Sequence, residues 1–190
     1  MIRRSLALAA ILLSAACAVT PTAVPAGAVT TPAGFDVTLQ KEWSRWPEQL
    51  NPATQGEYLT KDGMLLNRLH FSKVEDGKPW IKAQKDADVP RYRASASEVE
   101  TVDFVVASLK RIGYTEMAAG NIRPQKLDDK AGIRFDLTGK WENGLNVRGD
   151  AAFVPGTDGL KLVVFLAPEL HYYEASAQEV DSIIGSINLP

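Results

Sequence analysis

From Phe35 onward the apolar side chains fall into two alternating periods, and the changes of period mark the elements. Phe35, Val37, Leu39 and Trp43 alternate with Asp36, Thr38, Gln40 and Glu42, the two-residue rhythm of a strand with one wet face, and Trp46-Pro47 ends it. Tyr58–Thr60 and Leu65–Phe71 flank Lys61-Asp62-Gly63, and Asp-Gly predicts a hairpin because glycine accepts the positive φ of such turns. His70 falls opposite Leu69 and Phe71, which predicts a surface or half-buried position. Ser72–Arg93 is long and polar, with six basic and four acidic residues around one apolar pair, Trp80-Ile81. It predicts a solvated excursion with one short strand at Trp80.

Between Ser95 and Ile112 the period lengthens. Val99, Val102, Val105 or Val106, Leu109 and Ile112 recur at three- and four-residue steps, so one face of a helix is apolar. Ser97-x-x-Glu100 is a capping box that satisfies two orphan amide donors, and Gly113 suits the residue past the end. Next, Ile133, Phe135, Leu137 and Trp141 share one face, and Leu145, Val147, Ala151 and Phe153 share the face of a second strand. A two-residue Asn143-Gly144 turn sets each apolar row against a polar one. A three-residue loop, Glu142-Asn143-Gly144, pairs Phe135 with Ala151 and Ile133 with Phe153, so the pattern predicts that loop.

Leu160–Ala167 is apolar on both faces, which requires cover above and below the sheet. Ser176-x-x-Glu179, a second capping box, and the stripe Val180, Ile183, Ile184 and Ile187 predict a closing helix that supplies one cover. The expected fold is α+β, an antiparallel sheet of about six to seven strands packed with two main helices.

The first 34 residues follow different rules. Arg3 and Arg4 precede an apolar run, Leu6–Leu13, and small residues Ser14–Ala16, the layout of an export signal over 1–16. The run is too short for a membrane span, which needs about 20 apolar residues. Cys17, the only cysteine in the 190 residues, follows directly and resembles the lipid-bearing cysteine of bacterial lipoproteins, with Leu13 one place further back than the pattern has it. Plain cleavage after Ala18 or Ala28 remains the alternative. Residues 18–34 contain only Ala, Val, Thr, Pro and Gly, so 17–34 reads as a lipid-anchored tether and 35–190 as a single globular domain. The lipoprotein resemblance, with Ala18 and not Asp after the cysteine, implies an outer-membrane protein facing the periplasm; without lipid it would be soluble, secreted or periplasmic.

Charge narrows the partners. Without Arg3 and Arg4 the chain carries 19 basic against 23 acidic residues, a mildly acidic balance that argues against nucleic acid, which needs a basic footprint. No G-x-S-x-G elbow or Gly-rich phosphate loop occurs, and two histidines a hundred residues apart, His70 and His171, do not form a metal pattern. Neither a cofactor nor a catalytic residue is assigned. Candidate ligand-binding residues are His171, Tyr172, Tyr173 and Glu174, an aromatic and carboxylate cluster between the last strand and the last helix, a group that could equally be a packed corner. Candidate partner-binding residues are Trp46, Trp80, Arg91 and Arg93.

The helix "SEVETVDFVVASLKRIG", the meander from "GIRFDLTGKW" through "GLKLVVFLAP" and the closing "EVDSIIGSINL" resemble PsbP-like domains over Phe35–Leu189. That group includes photosystem II extrinsic subunits, the Ran-binding Mog family and assorted bacterial lipoproteins. The resemblance implies a sheet sandwiched by helices and, because many members are non-catalytic partners in assemblies, a binding role. Three readings follow: an envelope adaptor anchored at Cys17 that binds another envelope protein through the sheet edge or the 72–93 loop; a periplasmic carrier or sensor of a small apolar ligand near His171; and a hydrolase, for which no nucleophile is identified. The anchor has a direct check: Cys17→Ser is expected to move the protein from the membrane to the soluble fraction, and unchanged fractionation counts against lipidation.

Overall fold

A computed structural model describes residues 20–50, 53–63, 66–82 and 88–190. In chain order the strands are β1 Thr22–Val24, β2 Gly27–Thr30, β3 Asp36–Leu39, β4 Trp43–Trp46, β5 Glu57–Thr60 and β6 Arg68–Val74. Helix α1 Glu98–Arg111 follows, then β7 Tyr114–Leu127, β8 Lys130–Trp141, β9 Asn146–Val154 and β10 Leu160–Pro168, a π-helical turn Glu169–Tyr173, and α2 Glu174–Gly185. The main sheet has eight strands in the order β1-β4-β5-β6-β10-β9-β8-β7, one more than the upper expectation, and β2 and β3 form a separate two-stranded ladder. All pairings are antiparallel.

The fold is organised around β10. Leu160, Leu162, Val164 and Leu166 pack with Val102, Val105 and Leu109 of α1 on one face. Val163, Phe165 and Ala167 pack with Val180, Ile183 and Ile184 of α2 on the other. The doubly apolar strand therefore has the two covers its sequence requires. Each fully buried Leu, Val or Phe contributes about 1.5–3 kcal/mol relative to exposure, so exchanging the faces of β10 by a one-residue slip leaves Lys161 in the core and is excluded.

The three-residue β8–β9 loop forms as the pattern predicts. Phe135 faces Ala151 and Ile133 faces Phe153, the Gly144 amide donates to the Trp141 carbonyl at 2.8 Å, and Gly144 has φ +86°. The first capping box is also present: Ser97 Oγ accepts from the Glu100 amide, and the Glu100 carboxylate accepts from the Ser97 amide at 2.8 Å.

Several expectations are corrected. Residues 22–30, expected within a tether, form β1 and β2. Val24 is in the core and β1 bonds to β4, because β-branched Val and Thr alternate there over stretches too short to show a period. The 35–43 strand is broken at residues 40–42 into β3, which joins β2, and β4, which joins the main sheet. The connection from β5 to β6 spans residues 61–67, longer than an Asp-Gly hairpin, because Asn67 closes it: its Oδ1 accepts from Thr60 Oγ1 at 2.9 Å and from the Lys61 amide at 2.7 Å. The second capping box is absent, since α2 already begins at Glu174. Glu179 instead points into the protein, accepting from Trp43 Nε1 at 2.9 Å and pairing with Lys61 at 2.8 Å. Val99 is exposed, and Phe104 takes a place on the buried side of α1.

A buried ionic clamp ties α2 to the polar half of the sheet. Arg134 of β8 donates to both carboxylate oxygens of Asp150 on β9 and to Asp181 Oδ1 of α2, the last at 2.7 Å. On the α1 side His70 is buried, not half-exposed. Its ring lies 5.0 Å from Tyr58 and 5.9 Å from Trp80, and its Nδ1 is 3.2 Å from Thr54 Oγ1. Burial, aided by the positive charge of Arg68, pushes the imidazole pKa down to about 3. Below about pH 6.5 the unfolded chain takes up a proton that the folded protein refuses, so stability falls as pH drops from there toward 3. Urea denaturation should show the stability difference between wild type and His70→Phe shifting by about 2.5 kcal/mol in favour of the variant between pH 7 and pH 4.5; a pH-independent difference contradicts a buried neutral histidine.

Candidate functional site

A groove of about 390 Å³ lies at one corner of the sheet, on the side that α2 covers elsewhere. Its floor follows from strand parity. Arg45 shares a face with Trp43, Glu57 with Leu59, and Lys73 with Phe71, so three charged residues of adjacent strands point to the side whose other members form core. Trp46, Pro47, Glu48 and Pro32-Ala33 complete the lining; by the same parity the Trp46 ring lies on the opposite face, against Tyr58, and meets the groove only at the strand itself.

Each wall has a local cause. Pro47 cannot donate to a strand ladder, so β4 ends at Trp46, and the short turn Glu48–Leu50 brings the Leu50 carbonyl 3.2 Å from Trp46 Nε1. That bond and stacking on Tyr58 at 6.4 Å orient the indole. Opposite, the Gly34 amide closes a turn on the Thr31 carbonyl at 2.9 Å, and Lys161 Nζ donates to the Ala33 carbonyl at 2.5 Å. Burial and the neighbouring Lys73 lower the Lys161 pKa. At the rear Gly56 has φ +98°, and a Cβ there would collide with the Phe71 carbonyl, so only glycine lets the chain enter β5 at this point.

The charges are matched in pairs. Arg45 Nε contacts Glu57 Oε1 at 2.5 Å, Lys73 pairs with Asp158 at 2.7 Å, and Lys82 approaches Glu48 at 3.5 Å. Glu57 differs from the other carboxylates. Its side chain is only 5% exposed, and its Oε2 is buried with no hydrogen-bond partner among the described residues. Among the described residues, no three His, Cys, Asp or Glu side chains are grouped to hold a metal, and no helix is long and apolar enough to cross a membrane.

The structure disperses the residues singled out in the sequence. Trp46 lines the groove, whereas Trp80 is fully buried and donates from Nε1 to Ser72 Oγ at 2.9 Å. The two are the outer and inner ends of one row of rings, Trp46, Tyr58, His70 and Trp80. Arg91 and Arg93 are exposed, and Arg91 donates to the Gly77 carbonyl at 3.2 Å, apart from the groove. The His171–Glu174 corner is split. Tyr173 packs on Phe165 at 6.1 Å beneath the Arg148 guanidinium at 4.6 Å, and burial raises its hydroxyl pKa, while His171 and Glu174 face solvent. His171 has φ +73° and ψ −57°, the rare γ-turn of positive φ that redirects β10 into α2. Cys17 lies outside the described residues.

Comparison with solved structures identifies the architecture. The solution structure of cyanobacterial PsbP (CyanoP) from Synechocystis sp. PCC 6803 superposes with a TM-score of 0.52 at 9% identity, over 93% of this chain and 96% of that one. The fold is PsbP-like. A variant of the protein Mog1 is similar at a TM-score of 0.42 and 12% identity, over 87% of this chain and 88% of that one. No family model and no curated protein matches the sequence.

Arg45, Glu57 and Lys73 were not singled out from the sequence, although a signal was there: Glu57 shares parity with Leu59 in "EYLT", and Arg45 with Trp43 in "WSRW". Truncating Arg45 leaves Glu57 buried without its cation. Arg45→Met is expected to destabilise the fold by about 2 kcal/mol, and the double change Arg45→Met/Glu57→Leu to recover most of that, as measured by urea unfolding at pH 7. Additive losses contradict the pairing.

Proposed function

We propose that the protein is a non-catalytic binding protein of the cell envelope, held at a membrane by lipid on Cys17, and that it acts as an adaptor. In this reading an uncharged, largely apolar segment of another envelope protein seats in the groove beside Pro47 and Pro32. The observation that carries it is the groove itself: two prolines and an alanine line a cleft whose charged groups are already neutralised in pairs. Rigid apolar walls give contact area at low entropic cost, and balanced charge disfavours strongly ionic ligands.

The sheet edge is the less favourable route. β7 is a long edge strand, but its ladder with β8 is interrupted twice, with Glu116 and Asn121 at positive φ and Pro124 within the strand. Bulges, proline and charge are devices that block strand addition. A second reading, a carrier of a small apolar ligand, draws on the groove volume of about 390 Å³, within the range of small-molecule sites.

The test is co-purification from envelope extract with the full chain, a Thr22→Trp variant that fills the groove from the face Thr22 shares with Arg45, and a Leu170→Ser control at the exposed corner. A partner enriched by wild type and the control, and reduced at least about tenfold by Thr22→Trp, is the expected result. Equal recovery on all three removes the groove from the adaptor reading, and a small molecule found by native mass spectrometry in its place favours the carrier.

A further inference from the structure

Beneath the floor of the groove lies a polar atom whose bonding, among the described residues, is incomplete, and that atom indicates the chemistry of the occupant. Glu57 is more than nine-tenths buried; Oε1 takes the Arg45 bond, and Oε2 has no partner among the described residues. A buried acceptor without a donor costs about 1–3 kcal/mol, and more for a charged group. Other buried carboxylates of the protein avoid this. Asp150 receives Arg134 on both oxygens, and Glu179 receives Trp43 on one and Lys61 on the other.

The sign of the missing donor follows from the charges around it. Arg45 already neutralises Glu57, Lys73 and Asp158 neutralise each other, and Lys161 lies just behind the Pro32–Gly34 wall. A second cation would meet Arg45, Lys73 and Lys161 with no uncompensated negative charge to receive it. An anion would meet the lone pairs of Glu57. A neutral N–H or O–H donor meets neither penalty. The terminal carboxylate torsion is broad, so a small rotation turns Oε2 toward the groove while Arg45, with five donors, keeps its contact.

We infer that Glu57 is the specificity-determining residue of the groove and accepts a hydrogen bond from an uncharged N–H or O–H group of the occupant, whose apolar part lies between Pro47 and Pro32. The inference rests on the groove being the binding site and names what that site reads. It implies that the partner's segment carries an amide or hydroxyl beside an apolar side chain, with no lysine, arginine or carboxylate at that point.

Four probes of one shape test it: benzamide as neutral donor, acetophenone as its isostere without the donor, benzylammonium and benzoate. Each is titrated into the full chain while the backbone amide signals of Gly56 and Glu57, which line the groove, are followed by NMR. Benzamide is expected to bind about tenfold more tightly than acetophenone, one good hydrogen bond's worth, and more tightly than either ion. In Glu57→Gln the side-chain oxygen takes the Arg45 bond and leaves an NH2 donor in the groove, which the carbonyl of either probe can meet, so the preference for benzamide should be lost. The wild-type series stands even if that variant fails to fold. Equal binding of benzamide and acetophenone, preference for either ion, an unchanged preference in a folded Glu57→Gln protein, or no saturable shift up to about 20 mM overturns the inference. Loss of partner capture by Thr22→Trp alongside such a result would leave the adaptor reading intact and remove only the role of Glu57.

Discussion

The constraint on which the structure depends is that β10 has no polar face. A strand with Leu160, Leu162, Val164 and Leu166 on one side and Val163, Phe165 and Ala167 on the other can exist only at the centre of a three-layer arrangement. Everything else is placed relative to it. α1 and α2 are apolar on one stripe each and take opposite sides, β6 and β9 take the two ladder positions, and polar content increases outward from there. At the corner formed by β1, β4, β5 and β6, the inner face carries Arg45, Glu57 and Lys73 in place of core, and the helix cover gives way to the Pro32-Ala33 turn. The groove lies where the sandwich stops needing to be dry.

Two ion pairs on the same face show how context sets the role of a buried charge. Arg134 and Asp150 are matched atom for atom and joined by Asp181, which fixes α2 against β8 and β9. Arg45 and Glu57 are matched on one oxygen only, beside a cleft. The desolvation cost is similar in kind, but the first arrangement spends its hydrogen-bonding capacity on the fold and the second retains an acceptor.

What the sequence disclosed depended on how long a period lasted. The register of β8 against β9 could be derived because eight apolar residues had to agree, and only one loop length lets them. The two-sided burial of β10 was equally plain. β1 and β2 escaped because three or four residues of Ala, Val, Thr and Gly have too few positions to show alternation, and their partners β4 and β3 are distant or small. His70 was misplaced because parity says only which face it occupies, and both faces of β6 are covered once Trp80 folds back from the polar 72–93 stretch. The groove was least legible of all: its members come from five separate segments, and nothing local marks a carboxylate as short of one donor.

The position of β1 fixes how far the molecule could stand from a bilayer. Thr22 is already a sheet residue and a groove residue. Were Cys17 to carry the lipid, only five peptide steps would separate it from Thr22, at most about 17 Å of extended chain. The groove would then stand within about that distance of the lipid attachment point, and only proteins that themselves come so close to the membrane surface could reach it.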